Sequence, residues 1–283
     1  MKTILVLTNF SPKATNAEIA ALNIAIAAKS DILLFHSVVY PETNPEVFSN
    51  AANDTLLLED QITQCFTRSI ERLKVILSKK EAGGYKPKIR TMQGSGDLGI
   101  NVSEIVAEND IWMVVLGSKE SDNGLSNFLF GSCAFNVINN VNCPVLLVPE
   151  KANLQNIKKI ALATDLPKFG PDSIGFLADF VEPYDSKLLV THVSPVGWIN
   201  LEDIHVDTDV NIPLAQLPDF SKSSLMKRIV EKDFDDFIDE ADIDVLVILH
   251  YKNNLFKKIF HSGFTQILIK HTSLAIMILP FDE

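Results

Sequence analysis

Short, nearly unbroken apolar runs alternate along the chain with stretches whose apolar positions recur every three or four residues. The runs TILVLTNFS (3–11), DILLFHSV (31–38), IWMVVLG (111–117) and residues 145–149 read as strands, and KIRTMQG (88–94), without such a run, as a further one. Continuous apolar runs, rather than strict alternation, mean strands buried on both faces. Between the first two, Ser11 followed by Pro12 is a cap and a first-turn proline, and Ile19, Leu22 and Ile26 recur along one helix face. Residues 54–81 carry Leu58, Ile62, Phe66, Leu73 and Leu77 at helical steps until Gly83-Gly84 stops them. GINVSEIVAEND (99–110) is a third helix. Strands alternating with helices predict a parallel sheet covered on both faces.

The pattern then starts again. KIALATDLP (159–167) repeats the first strand and KLLVTHVS (187–194) the second, so that Asn9 answers Asp165 and His36 answers His192 at one common separation. The closing stretches also match, but Gly131 answers Ser262 at a shorter separation, so the second copy has lost residues from its middle. An internal duplication follows: one domain over 1–150 and a shortened, divergent copy over 151–283. In the second copy KRIVEK (227–232) is the third strand, and the acidic DFDDFIDEAD (233–242) reads as a solvated helix face. Segment 198–222, with Pro213 and Pro218, replaces a long helix and is the expected site of first proteolytic cleavage. The last strand of each copy would leave an apolar edge, so the halves are expected to pack through Val145–Val148 and Ala275–Leu279 as a pseudo-twofold dimer.

Composition narrows the partners. With 283 residues, 47% hydrophobic and a net charge of −11, the chain has ample core and repels nucleic acid as a whole, leaving room only for a local basic patch. Cys65, Cys133 and Cys143 are odd in number and lack CxxC spacing, so they read as buried hydrophobes in a reducing compartment. MKTILVLTNFSPKA enters a strand at once and does not resemble a signal peptide, and nowhere do ~18 apolar residues run together. A cytoplasmic location without membrane contact is the expectation.

Candidate chemistry gathers after the fourth strand, in GSKESDNGLSNFLFGS (117–132). Together with ILVLTNFS, LFHSV and NCPVLLVP, this loop resembles the universal stress protein family in its tandem, two-copy form. The resemblance implies two tandem five-stranded parallel-sheet domains of Rossmann-like, adenine-nucleotide α-hydrolase-like α/β fold. It also implies, in members that bind ATP, the pattern Gly-x2-Gly-x9-Gly-Ser/Thr, an Asp ending the first strand and contacts at the end of the second. Carried over, Gly117 matches the first glycine with Ser118 beside it, and Gly131-Ser132 match the last pair. Glu120 stands where the second glycine belongs, and the loop is one residue longer than the pattern. Thr8 matches, Asn9 keeps the shape of the Asp without its charge, and Ser37 stands at the end of the second strand. The second copy keeps Asp165 but has His250 or Tyr251 for the first glycine and an inverted Ser262-Gly263.

Rival readings of these residues are weaker. Glu120 and Asp122 have the hard oxygens that Mg²⁺ prefers, and His205, Asp207, Asp209, His250, His261 and His271 are metal-capable types, but none has the spacing of a closed site. His36 and His192, equivalent in the two copies, read as packing or hydrogen-bonding residues. There is no GxSxG elbow, Walker lysine or Ser-His-Asp ordering, and Pro167 replaces the second Asp that a phosphatase nucleophile at Asp165 requires. The expectation is a non-enzymatic stress-response or regulatory binding module with a degenerate nucleotide site, no metal and no required cofactor. An adenine nucleotide or other small molecule would be a weakly held ligand, and a protein partner is unspecified. Two alternatives stand beside it: an ATP-binding member with slow hydrolysis or a nucleotide-dependent switch, and a scaffold for a protein partner. A homodimer beyond the intramolecular pseudo-dimer is left open.

Overall fold

The computed structural model describes residues 2–38, 48–80, 84–118, 131–164, 171–194, 226–230, 238, 240–251 and 274–281. The first half contributes β1 (Thr3–Leu7), α1 (Pro12–Ala27), β2 (Asp31–Val38), α2 (Phe48–Ser78), β3 (Ile89–Ser95), α3 (Leu98–Glu108), β4 (Ile111–Gly117), α4 (Gly131–Asn140) and β5 (Val145–Val148). The second contributes β6 (Lys159–Thr164), α5 (Pro171–Val181) with a 3-10 turn at Glu182–Tyr184, β7 (Lys187–Ser194), β8 (Met226–Val230), β9 (Val245–Tyr251) and β10 (Ala275–Phe281). Asp165, segment 198–222 and most of the acidic stretch 233–242 lie outside the described residues.

These strands form a single sheet in the order β3-β2-β1-β4-β5-β10-β9-β6-β7-β8. Neighbours run parallel within each half, and the halves meet where β5 and β10 pair antiparallel, with Leu147 opposite Ile276 and Val145 opposite Ile278. The two last strands are therefore the junction, as their apolar edges predicted. The pairing satisfies the backbone groups of both edges and merges the two cores. Successive strand residues feed opposite faces: Ile4 and Val6 join Met277 and Val247 under α1, α2 and α5, while Leu5 and Leu7 join Ile276 and Ile248 under α3 and α4. Trp112 of β4 packs on Phe176 of α5 at 5.2 Å between ring centroids, and Lys2 pairs with Asp179, so α5 also bridges the halves.

Helix α2 begins at Phe48, ahead of the expected residue 54, and β1 and α1 also differ from the sequence reading. The first strand stops at Leu7, not at Ser11, because the Thr8 hydroxyl captures the Phe10 N–H (3.0 Å) and Phe10 turns into the left-handed region at φ 60°. Helix α1 starts as expected, with Ser11 Oγ accepting from Ala14 N–H (3.3 Å) ahead of Pro12. It is buried nearly all round, however. Ala17, Ala21, Ile24 and Ala25 are fully shielded, whereas Ile19 and Ile26 are only partly covered. Small alanines let the helix settle into the sheet.

Candidate functional site

Leu7 of β1 is flanked by Phe35 of β2 and Leu116 of β4, so Thr8, His36, Ser37 and Gly117 emerge side by side at the carboxyl end of the sheet. The crevice between β1 and β4 is where a parallel sheet reverses its winding and where such folds receive ligands. Helix α4 runs back toward the start of β5, which puts Gly131 (φ +78°) and Ser132 at the same end.

Each expected residue there has a definite local task. The Thr8 hydroxyl donates to Glu18 Oε1 (2.7 Å) while accepting from Phe10 N–H. Asn9 Oδ1 accepts from Ser11 N–H (3.2 Å), and Ser37 Oγ donates to the Gly96 carbonyl (3.1 Å). Ser118 is buried, and its N–H extends the sheet by donating to Val148 O (2.9 Å). A Cβ on Gly117 would lie 2.8 Å from both the carbonyl carbon and oxygen of Lys13, so glycine is required here for β4 to pass the first turn of α1. Gly131 and Ser132 remain as the start of a helix, where unpaired amides and the dipole favour an anion. Asp165, the loop carboxylates Glu120 and Asp122, and His205, Asp207, Asp209, His261 and His271 lie outside the described residues, as does the side chain of His250.

His36 has the hydrogen-bonding role expected of it: Nδ1 lies 2.7 Å from the Thr8 carbonyl, which can only accept, so Nδ1 carries a proton. Its ring packs 4.9 Å from Phe10, and Phe10 meets Phe66 of α2 edge-on at 5.2 Å. A left-handed aromatic residue costs about 1–3 kcal/mol, which the Thr8 hydroxyl bond and the two ring contacts offset.

The sequence reading missed Glu18. This carboxylate is wholly shielded in α1, where it accepts from Thr8 and Ser69 hydroxyls at Oε1 and from Arg72 Nη2 at Oε2 (2.7 Å). It ties the end of β1 to α2. A charged residue within an alanine-rich helix, with Ser69 and Arg72 three positions apart on the next helix, was the available signal. Asp97, two residues past the end of β3, was also missed. It caps α3 through Ile100 N–H (3.0 Å) and accepts from Asn136 of α4 (2.8 Å), and these bonds, the Ile100 N–H first, hold its carboxyl below the usual range. Cys143 is buried and Cys65 partly so, but Cys133, expected inside, is exposed on α4, because its position in the first turn faces away from the sheet. Among the described residues no cluster of three or more His, Cys, Asp or Glu side chains is placed to hold a metal. Nor is any helix among them long and apolar enough to cross a membrane.

A family model for the universal stress protein family matches residues 1–149. The chain belongs to this family. Among solved structures, a universal stress protein from Archaeoglobus fulgidus aligns at TM-score 0.68 with 13% identity, covering 98% of each chain. A functionally unknown protein from Pseudomonas aeruginosa aligns at TM-score 0.58 with 15% identity, over 99% of this chain and 92% of its own. These likenesses run the length of the chain and show that its fold recurs in proteins of similar size. A universal stress protein solved in complex with cAMP aligns at TM-score 0.39 and 19% identity, over 52% of this chain and 96% of its own. No curated protein matches the sequence.

Proposed function

We propose that this universal stress protein is a non-enzymatic, cytoplasmic binding module whose first-half cleft holds an adenine nucleotide only weakly. The observation that supports this reading is the engagement of the cleft residues with the protein itself. Thr8 serves Glu18 and Phe10, Asn9 serves Ser11, the Ser118 amide serves Val148, and Gly117 is there for α1. Among the described residues, what remains for a ligand is the helix start at Gly131-Ser132, which favours an anion of any kind and does not select a base or ribose. Asn9 lacks the charge of the family's aspartate, and Glu120 places a carboxylate where the family pattern has bare backbone.

Calorimetric titration of the unmodified chain with ATP tests the proposal. The expected Kd is roughly 0.1 mM or weaker, under about 6 kcal/mol of binding free energy. Replacing Glu120 by glycine and deleting Ser121 should tighten binding by restoring the family spacing. Micromolar ATP affinity in the unmodified chain would overturn the proposal and turn attention to nucleotide hydrolysis or switching.

A further inference from the structure

Among the described residues β3 ends the sheet, and the middle of this strand is bare on both faces: Arg90, Thr91, Met92 and Gln93 are all exposed. Its backbone polarity can be read from its neighbour. Ile32 N–H donates to Lys88 O (2.9 Å), and a parallel ladder turns both backbone groups of alternate residues to the same side. Arg90 and Met92 therefore face β2, and Gly96 N–H on Val38 O keeps that parity. Ile89, Thr91 and Gln93 point N–H and C=O outward, a donor–acceptor row at strand spacing. Lys86 and Lys88 lead into this strand and Arg90 stands on it, in a chain whose net charge is −11. Lys86, Lys88 and Arg90 are exposed, and none has an ion-pair partner among the described residues.

We propose that the β3 edge is a docking site for an acidic, extended polypeptide segment that adds to the sheet as a further strand. The outward row of alternating donors and acceptors matches a peptide backbone, whereas a nucleic-acid backbone offers acceptors only at its phosphates. The cationic approach selects acidic side chains. A second copy of the chain paired through the same edge is disfavoured, because Arg90 on β3 and Lys88 just before it would oppose like charges. The site is separate from the β1–β4 crevice and does not rest on nucleotide binding.

The test is fluorescence anisotropy of the full chain with a labelled peptide of alternating glutamate and valine. Saturable binding is expected, and Thr91→Pro should weaken it by about tenfold or more, since the lost N–H faces outward and the ladder to β2 is untouched. Lys88→Glu with Arg90→Glu should abolish binding of this peptide and create binding of its lysine–valine counterpart. Should Thr91→Pro fail to fold, slowed hydrogen exchange at the Thr91 and Gln93 amides on peptide addition to the unmodified chain reports the same contact. Absence of saturable binding, or binding that neither substitution nor amide exchange registers, overturns the proposal. So does equal binding of a single-stranded oligonucleotide insensitive to Thr91→Pro, or self-association of the chain that Thr91→Pro removes.

Discussion

Glu18 and Arg72 form a 2.7 Å ion pair in which the carboxylate is fully shielded while the guanidinium side chain is 36% exposed. Two hydroxyls complete the carboxylate's shell, those of Thr8 and Ser69. Removing Arg72 would leave a buried charge with neutral donors alone. Arg72→Met should therefore cost about 2–3 kcal/mol, less than the ~3–5 typical of a wholly buried pair because water reaches the Arg72 end. Replacing both partners by Met should recover at least half of that loss, since no orphaned charge remains. Urea unfolding of the two variants checks this, and a fully stable Arg72→Met chain would show that the pair contributes nothing.

Gly117 separates a packing role from a ligand role. An added Cβ would press on the Lys13 carbonyl, which is backbone and cannot swing aside. Gly117→Ala should lower stability by about 1–3 kcal/mol whether or not nucleotide is present. Thermal unfolding with and without ATP distinguishes this from a phosphate-binding glycine, whose loss would register only in the presence of ligand.

Leu147 is 1% exposed and sits opposite Ile276 at the junction of the halves. Leu147→Lys removes a buried side chain worth about 1.5–3 kcal/mol and buries an ammonium group without a partner. The midpoint of thermal unfolding should fall clearly. An unchanged midpoint would place the strand elsewhere than at the interface.

Burial raises the Cys143 thiol from 9.0 to about 12. The unfolded chain then sheds this proton above pH ~9 while the folded chain keeps it. The resulting contribution is intact below that pH and is lost as pH rises toward the folded value, at up to about 1.4 kcal/mol per pH unit. Denaturation followed across alkaline pH should show a shallower decline for Cys143→Ala. With a thiol reagent at neutral pH, exposed Cys133 should react first and Cys143 only on unfolding.

The alternation of strands and helices was legible in the sequence because parallel strands buried on both faces must be apolar without interruption, as in ILVL and WMVVL. The duplication was legible because Asn9 with Asp165 and His36 with His192 share one separation, and the junction followed from two apolar last strands that needed cover. Tertiary structure alone decided three other matters. Glu18 reads in one dimension as a solvated residue of an alanine-rich helix, and only the seating of α1 between the sheet and α2 buries it and brings Arg72 across. Gly117 reads as a phosphate-loop glycine, and only the closeness of Lys13 shows that packing demands a glycine here as well. The first strand ends at Leu7 because the Thr8 hydroxyl and the rings of His36 and Phe66 together hold Phe10 in a backbone region that its own propensity disfavours. Hydrophobic periodicity is a local property and is written along the chain. The burial of one charge, the fit of one glycine and the strain of one turn depend on which distant residues arrive beside them.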